Sequence, residues 1–504
     1  MPLALLSGAL LALSFPKFGH PAFAWIALTP LTIAAWHASS LRRAFFLGLL
    51  SGGVYFWGTL YWLIETMTTF GGLSTVTAVF AAFLLVAYLS LFPAAFAVLF
   101  SRSRRAFGDG ALALAAPIWV TTELGRQYVW DGFPWELLGY SQVTLLPIAQ
   151  AASIVGVYGL SLLLALTASA LAAAVLLAGR ARWLFPAVAG VLVVVCAGWG
   201  SMRLGRATLL QAGEPVRVAV IQGNIEQEDK WNPELRDAIT DKYIAMTRQA
   251  LGAGASFILW PESSTPFYFE HDLIRGATIR RLARESGATL LIGSDQVEPV
   301  KATIPEQKPQ ARYYNAAFLV RPDGQVGAVY RKMHLVPFGE YVPLQNLFFF
   351  VGPIVEAVSA FTPGEDPVLL PVGDHLVSTA ICYEVIFPDL IRSFVGEGSE
   401  LLTTITNDAW YGRSSAAYQH WDQASMRAIE QGRYLARAAN TGISGFVDPY
   451  GRVLEKTALF HEAVLFKDLR FIKDRTIYSR TGDLAAWLSL TVTVAALAAS
   501  FYKR

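Results

Sequence analysis

Residues 379–387 read TAICYEVIF, an apolar run interrupted by Cys382 and Glu384. A thiol and a carboxylate two positions apart, in what reads as the end of a buried strand, are costly unless something nearby satisfies or uses them. The chain has one other cysteine, Cys196, in the apolar run VLVVVCAG, and two settings so different make a structural disulfide unexpected. A lone strand cysteine is most often an inert small hydrophobe. What else the sequence brings to Cys382 decides its meaning.

Outward from this stretch, the 504 residues divide sharply. A hydrophobic fraction of 54% with 15% charged residues lies outside the ordinary soluble range. The excess is uneven. From Met1 to about Arg203 long stretches carry almost no charge, Glu214 to about Asp474 has the charge and turn density of a globular domain, and an apolar stretch follows from Leu484 to Phe501. The expected domains are therefore a membrane bundle over 1–203, a polar domain over 204–480 and a C-terminal membrane helix over 484–501. A net charge of +2, scattered along the chain, argues against nucleic-acid binding.

A spanning helix needs roughly 20 mostly apolar residues. About eight windows qualify or nearly so, near 2–16, 22–37, 44–64, 75–100, 110–125, 147–178, 183–202 and 484–501. The first, MPLALLSGALLALSFPKF, lacks a basic leader and a small-residue cleavage site, so it reads as a retained span. Lys and Arg collect in short cytoplasmic loops. Arg42 and Arg43 follow the second window, Arg102, Arg104 and Arg105 the fourth, Arg180 and Arg182 the sixth, and Lys503 and Arg504 the last; the alternate loops carry only Lys17 and Arg126. Both termini should thus be cytoplasmic and the polar domain across the membrane, the periplasmic face in a bacterium. The loop from Glu123 to Pro147, rich in Trp, Tyr and Gly, reads as an interfacial aromatic belt or as part of a substrate site.

The polar domain alternates short β-type runs with helical ones, which predicts a layered α/β fold. VRVAVIQGNI, ASFILWPES, ATLLIGSD, HLVSTAICYEV and ELLTTITND read as strands; PELRDAITDKYIAMTRQAL, HDLIRGATIRRLARESG and Ala417 to Ala439 read as helices. Pro322-Asp323-Gly324 and Pro449-Tyr450-Gly451 signal hairpins. The connection from Thr303 to Gln310 reads as an exposed loop.

Three segments place a reactive group at or just after a strand end: Trp260-Pro261-Glu262, Tyr330-Arg331-Lys332 and Ile381-Cys382-Tyr383-Glu384. Each alone has an ordinary structural reading as cap, solvent-facing lysine or core thiol. Together they describe nucleophilic catalysis. A thiol attacks as thiolate and needs a base or a cation beside it. Glu262 would be the general base, and Lys332 would favour the thiolate and, with the backbone N–H of Tyr383, stabilise an oxyanion. The seven histidines include no HExxH and no pair at metal-ligand spacing, so no metal, no cofactor and no Cys-His dyad is expected.

With these residues in hand, the sequence resembles the nitrilase, or carbon–nitrogen hydrolase, superfamily over residues 216–465. WPES, YRKMHLVPFGEYVP and ICYEVIFPDL occur in the family's order, followed by NDAWYG at Asn407 to Gly412. The resemblance implies an αββα sandwich with a Glu-Lys-Cys triad at Glu262, Lys332 and Cys382. With the multi-span bundle and the terminal helix, the whole chain resembles the apolipoprotein N-acyltransferases. That implies an acyl group taken from a phospholipid, typically the sn-1 chain of phosphatidylethanolamine, onto Cys382, then passed to the free α-amino group of the S-diacylglyceryl cysteine of an apolipoprotein. Glu340 would be a second acid near the nucleophile, Tyr383 and Glu384 would shape its surroundings, and Trp231 would match a substrate-binding tryptophan, or else lie in the core. A monomer is expected. The apolar segment Leu344 to Phe361 reads either as core or as a lid that dips into the bilayer. The rival readings are a membrane-tethered amidase, which would need only one anchor, and an inactive transporter or scaffold, against which stand the intact triad and the scarcity of ionisable groups in the spans.

Overall fold

The computed structural model describes residues 1–17, 19–300, 310–337, 339–341 and 361–502. The segment read as a lid, but for Phe361, and the loop read at 303–310, but for Gln310, lie outside the described residues. The chain forms two compact units, one of residues 1–207, 414–430 and 476–504, the other of residues 208–413 and 431–475.

The first unit is helical. Among the described residues, four helical stretches are long and apolar enough to cross a membrane: Thr75–Tyr128, Ala152–Leu176, Ala181–Gln211 and Leu484–Tyr502. Helices Leu41–Leu60 and Trp62–Thr69, bent by 52° at their junction, make a fifth if taken together. Eight separate spans are thus not reproduced by helix length. The windows at 2–16 and 22–37 fall on the shorter helical segments Pro2–Ala12 and Pro21–Trp36, while those at 75–100 and 110–125 fall on two helices, Thr75–Phe107 and Ala115–Tyr128, parted at Gly108, whose φ is 57°. Eleven residues rise only about 17 Å. Start signals are local: the Ser40 hydroxyl accepts from the Arg43 N–H at 3.1 Å and the Ser74 hydroxyl from the Thr77 N–H at 3.2 Å.

The loop read as an aromatic belt is largely interior to this unit. Trp135, Glu136, Leu137, Leu138 and Tyr140 are buried, while Tyr128 and Trp130 are exposed. The buried part faces the polar helix Ala416–Gln431. The Trp135 Nε1–H donates to Gln419 at 2.9 Å, the Gln423 amide to Glu136 at 3.1 Å, and Arg427 to the Tyr140 hydroxyl at 2.7 Å. These polar partners account for the buried part of the loop. The helix predicted over 417–439 stops at Gln431, because Gly432 takes a left-handed φ of 63°. Residues Leu435–Ala439 instead form a buried strand.

The second unit holds two six-stranded sheets. The first sheet comprises β1 (Glu214–Gln222), β2 (Phe257–Leu259), β3 (Thr289–Val300), β4 (Gln310–Val320), β5 (Val326–Arg331) and β12 (Ala463–Phe471), ordered β12-β1-β2-β3-β4-β5. The second comprises β6 (Leu370–Val372), β7 (His375–Ile381), β8 (Leu401–Thr406), β9 (Leu435–Ala439), β10 (Gly445–Val447) and β11 (Val453–Lys456), ordered β11-β10-β9-β8-β7-β6. Each sheet has three parallel central strands, β1-β2-β3 and β7-β8-β9, flanked by antiparallel ones. Both predicted hairpins are present as β4-β5 and β10-β11. All six residues of β8 are buried, as a central parallel strand requires. Helices Arg236–Gly252 and Arg275–Ser286 cover the first sheet, burying Tyr243, Ile279 and Leu282 against Trp260, Ile258 and Phe318.

His375, which opens β7, ties the two sheets together. Its Nδ1 lies 2.6 Å from Glu400, its Nε2 lies 3.2 Å from Glu214 of β1, and its ring stacks on Phe471 of β12 with centroids 4.0 Å apart. Burial disfavours the charged ring, but the two carboxylates outweigh it and raise the imidazole above its ordinary value. A histidine whose folded proton affinity is raised contributes stability below its unfolded pKa, near 6.5, and loses it as pH rises through the folded value. Thermal unfolding of His375→Gln is therefore expected to show a smaller loss of stability between pH 6 and pH 9 than the parent protein; equal pH dependence would show that the cluster is not coupled to folding.

Candidate active site

The strand read through Cys382 ends one residue earlier. Cys382–Ile386 is a 3₁₀ turn, and Cys382 itself has φ of 53°, a left-handed conformation that costs a non-glycine residue free energy. Glu384 holds the turn. One of its oxygens accepts the Ile381 N–H at 2.7 Å; the other accepts the Tyr330 hydroxyl at 2.7 Å and the Met333 and His334 N–H groups at 2.6 and 3.2 Å. A single fully buried carboxylate thus joins the turn of Cys382 to the segment after β5 that carries Lys332. Burial pushes this carboxyl up to about 7.

Lys332 follows β5 directly and is 1% exposed. Its Nζ lies 2.8 Å from Glu340 Oε1 and 3.5 Å from Glu262 Oε1. Burial alone would lower its proton affinity, but Glu340 and Glu262 outweigh it and raise the ammonium above the ordinary lysine range. Glu262 lies in the turn after β2. Its Oε1 accepts from the Asn315 amide at 2.7 Å and its Oε2 from the Asn407 backbone N–H at 2.7 Å. Asn315, on β4, donates also to Glu340 at 2.9 Å, and the Val336 N–H donates to the other Glu340 oxygen at 2.8 Å. The turn bearing Glu262 crosses β3 at Gly293, where a Cβ would sit 2.7 Å from the Glu262 Cα, so the approach requires glycine.

The predicted triad residues therefore converge, with Glu340 bridging to the lysine. Tyr383 is buried, its ring edge-on to Phe387 at 5.3 Å, and Phe387 stacks on His334 at 4.2 Å. Trp231 is 45% exposed, so the core reading of it is not supported. The thiol of Cys382 is pushed up to about 12, first by burial and then by Glu262, with Lys332 acting the other way. Lys332 does favour the thiolate, but it does not produce one at neutral pH. The arrangement suits removal of the thiol proton by Glu262 as the nucleophile attacks.

Sequence reasoning missed three contributors. Asn315 and Asn407 look like ordinary polar residues near strand ends. Lys230, beside Trp231, is buried and donates to the Glu262 carbonyl oxygen at 3.1 Å. Burial pulls its ammonium down to about 8 against the opposing pull of Glu262, Asp295 and Cys382. In its neighbourhood, DKWNPE, the sequence singles out Trp231 but not Lys230.

Residues 217–472 match the Carbon-nitrogen hydrolase family, and residues 7–170 match the Apolipoprotein N-acyltransferase N-terminal domain. The apolipoprotein N-acyltransferase of Geobacter metallireducens is 41% identical, over 98% of this chain and 94% of that protein. The chain belongs to the apolipoprotein N-acyltransferase family. Its counterparts from Methylococcus capsulatus and Photobacterium profundum are 35% and 32% identical over 96% and 95% of this chain, and 93% and 91% of their own lengths. Among solved structures, a nitrilase-superfamily amidase from Nesterenkonia AN1 is similar, with 24% identity over 51% of this chain and 90% of that one and a TM-score of 0.38. Membership of the N-acyltransferase family and the long apolar helices make this a multi-pass membrane protein.

Within this N-acyltransferase, replacing Lys332 by Met leaves Glu262 and Glu340 facing each other without their shared cation. Breaking such a buried pair costs about 3–5 kcal/mol. Of the two carboxyls left together, one gains proton affinity above the unfolded value of about 4.3, so stability is lost as pH rises past that value. Thermal unfolding in detergent is expected to show a larger deficit at pH 8 than at pH 5; a deficit independent of pH would count against the shared-cation account.

Proposed function

We propose that Cys382 carries a fatty acyl group from a phospholipid to the N-terminal amine of an apolipoprotein, by a ping-pong mechanism with Glu262 as acid and base. The observation that carries this reading is the convergence of Glu262, Lys332 and Glu340 with a buried thiol on a strained turn. Glu262 takes the thiol proton as Sγ attacks the ester carbonyl. Lys332 and the backbone N–H of Tyr383 stabilise the oxyanion. Collapse forms the thioester, and Glu262 returns the proton to the departing lysophospholipid oxygen. The α-amine of the S-diacylglyceryl cysteine, arriving neutral, then attacks the thioester. Glu262 takes its proton and gives it to the leaving thiolate.

The donor on this reading is phosphatidylethanolamine, through its sn-1 chain. Trp231, being exposed, is available to touch substrate, and Cys382, Tyr383 and Phe387 are all buried. Excluding water there favours transfer over hydrolysis. The distribution of Arg42, Arg43, Arg102, Arg104, Arg105, Arg180 and Arg182 supports an even number of crossings in a bacterial inner membrane, with both termini cytoplasmic and the catalytic unit periplasmic.

Intact-protein mass spectrometry after incubation with phosphatidylethanolamine, without acceptor, is expected to show one added acyl group on the parent protein and none on Cys382→Ala. A diacylated lipopeptide should discharge it. Absence of the adduct, or its release by water as fast as by the lipopeptide, would overturn the transfer mechanism.

A further inference from the structure

The end of β8 touches both the base and the nucleophile. Parallel pairing sets Ile381 of β7 against Ile405 of β8, so the next residues, Cys382 and Thr406, are neighbours where the two strands end. The Asn407 N–H fixes one Glu262 oxygen, while the Thr406 hydroxyl lies within hydrogen-bonding reach of the Cys382 thiol. Thr406 is fully buried, and its Oγ1 lies 2.8 Å from Asp408 Oδ1. The other Asp408 oxygen accepts Arg437 from β9 at 2.9 Å, an ion pair with both side chains fully buried.

A hydroxyl has one hydrogen. While it is given to Asp408, Thr406 can only accept from the thiol S–H; once the sulfur is an anion, the same hydrogen is better placed on Sγ. Asp408 can release it because Arg437 remains on its other oxygen. We propose that Thr406 is a positioning residue for the nucleophile: its hydroxyl accepts from the Cys382 S–H at rest, and turns its own hydrogen from Asp408 onto Sγ as the thiol proton leaves for Glu262. No bond other than the S–H bond is broken in this step, and the proton goes to the Glu262 carboxylate. The charged and titratable groups around the thiol are Glu262, Lys332, Asp408, Lys230 and Tyr411. A change at Thr406 directly touches one of these, Asp408, whose Oδ1 loses the hydroxyl while its Oδ2 keeps Arg437.

The proposal rests on Cys382 being the nucleophile. Alkylation by iodoacetamide, followed on the full-length protein in detergent between pH 7 and pH 9 with peptide mapping to separate Cys382 from Cys196, tests both. Thr406→Val, close in shape, is expected to slow alkylation of Cys382 about tenfold at each pH, the equivalent of one unit in thiol acidity, with a matching fall in acyl-adduct formation. Thr406→Ser should restore parent rates. If the valine variant does not fold, Thr406→Ala is read in the same way. Parent-like alkylation in the valine or alanine variant, or a serine variant as slow as either, overturns the role of Thr406. A parent protein that neither alkylates at Cys382 nor forms the acyl adduct overturns the nucleophile assignment itself.

Discussion

Burying an ammonium between two carboxylates is the constraint around which the catalytic unit is built. Lys332 is almost inaccessible to water, and its charge is tolerated only because Glu262 and Glu340 flank it. Two carboxylates against one ammonium would leave a net negative charge near the Cys382 thiol. Lys230, under the Glu262 turn, offsets that charge. The amide of Asn315 and the N–H groups of Asn407 and Val336 then satisfy the remaining lone pairs, fixing each carboxylate in place before any substrate arrives.

Positioning the thiol draws on a separate device. Glu384 gathers donors from the turn of Cys382 and from the segment after β5, and so couples a strained φ at Cys382 to the backbone that carries Lys332. Burial raises the proton affinity of the sulfur, with Lys332 acting the other way. A thiol whose proton affinity is raised by burial is also less prone to adventitious oxidation.

Much of this was legible in the sequence, for identifiable reasons. Strand periodicity and the two Pro-Xaa-Gly turns located the hairpins, and Glu262, Lys332 and Cys382 stood out because each follows an apolar run. Asn315, Asn407, Thr406 and Lys230 were not legible, because their importance depends on which strands become neighbours, and pairing between distant segments leaves no local mark. Cys382 was read inside a strand because Val385 and Ile386 continue the apolar run, whereas the pull of Glu384 on the Ile381 N–H bends the chain there. The helix read through Ala439 overran Gly432, a stop signal outweighed by the helical pattern on either side. Hydropathy marked apolar windows, but it could not show that two of them fall on short helical segments.

The helix between β8 and β9 has its side-chain partners at Trp135, Glu136 and Tyr140, so residues 414–430 belong with a part of the chain made more than 250 residues earlier. Neither compact unit is a continuous segment. During synthesis the first helices emerge and insert with a polar seam still unfilled, and Gln419, Gln423 and Arg427 reach it only after most of the catalytic strands have been made. A protein cut between the two units would yield fragments that each lack an interior piece, and quality control in the membrane would meet an incomplete bundle wherever synthesis stopped before that helix.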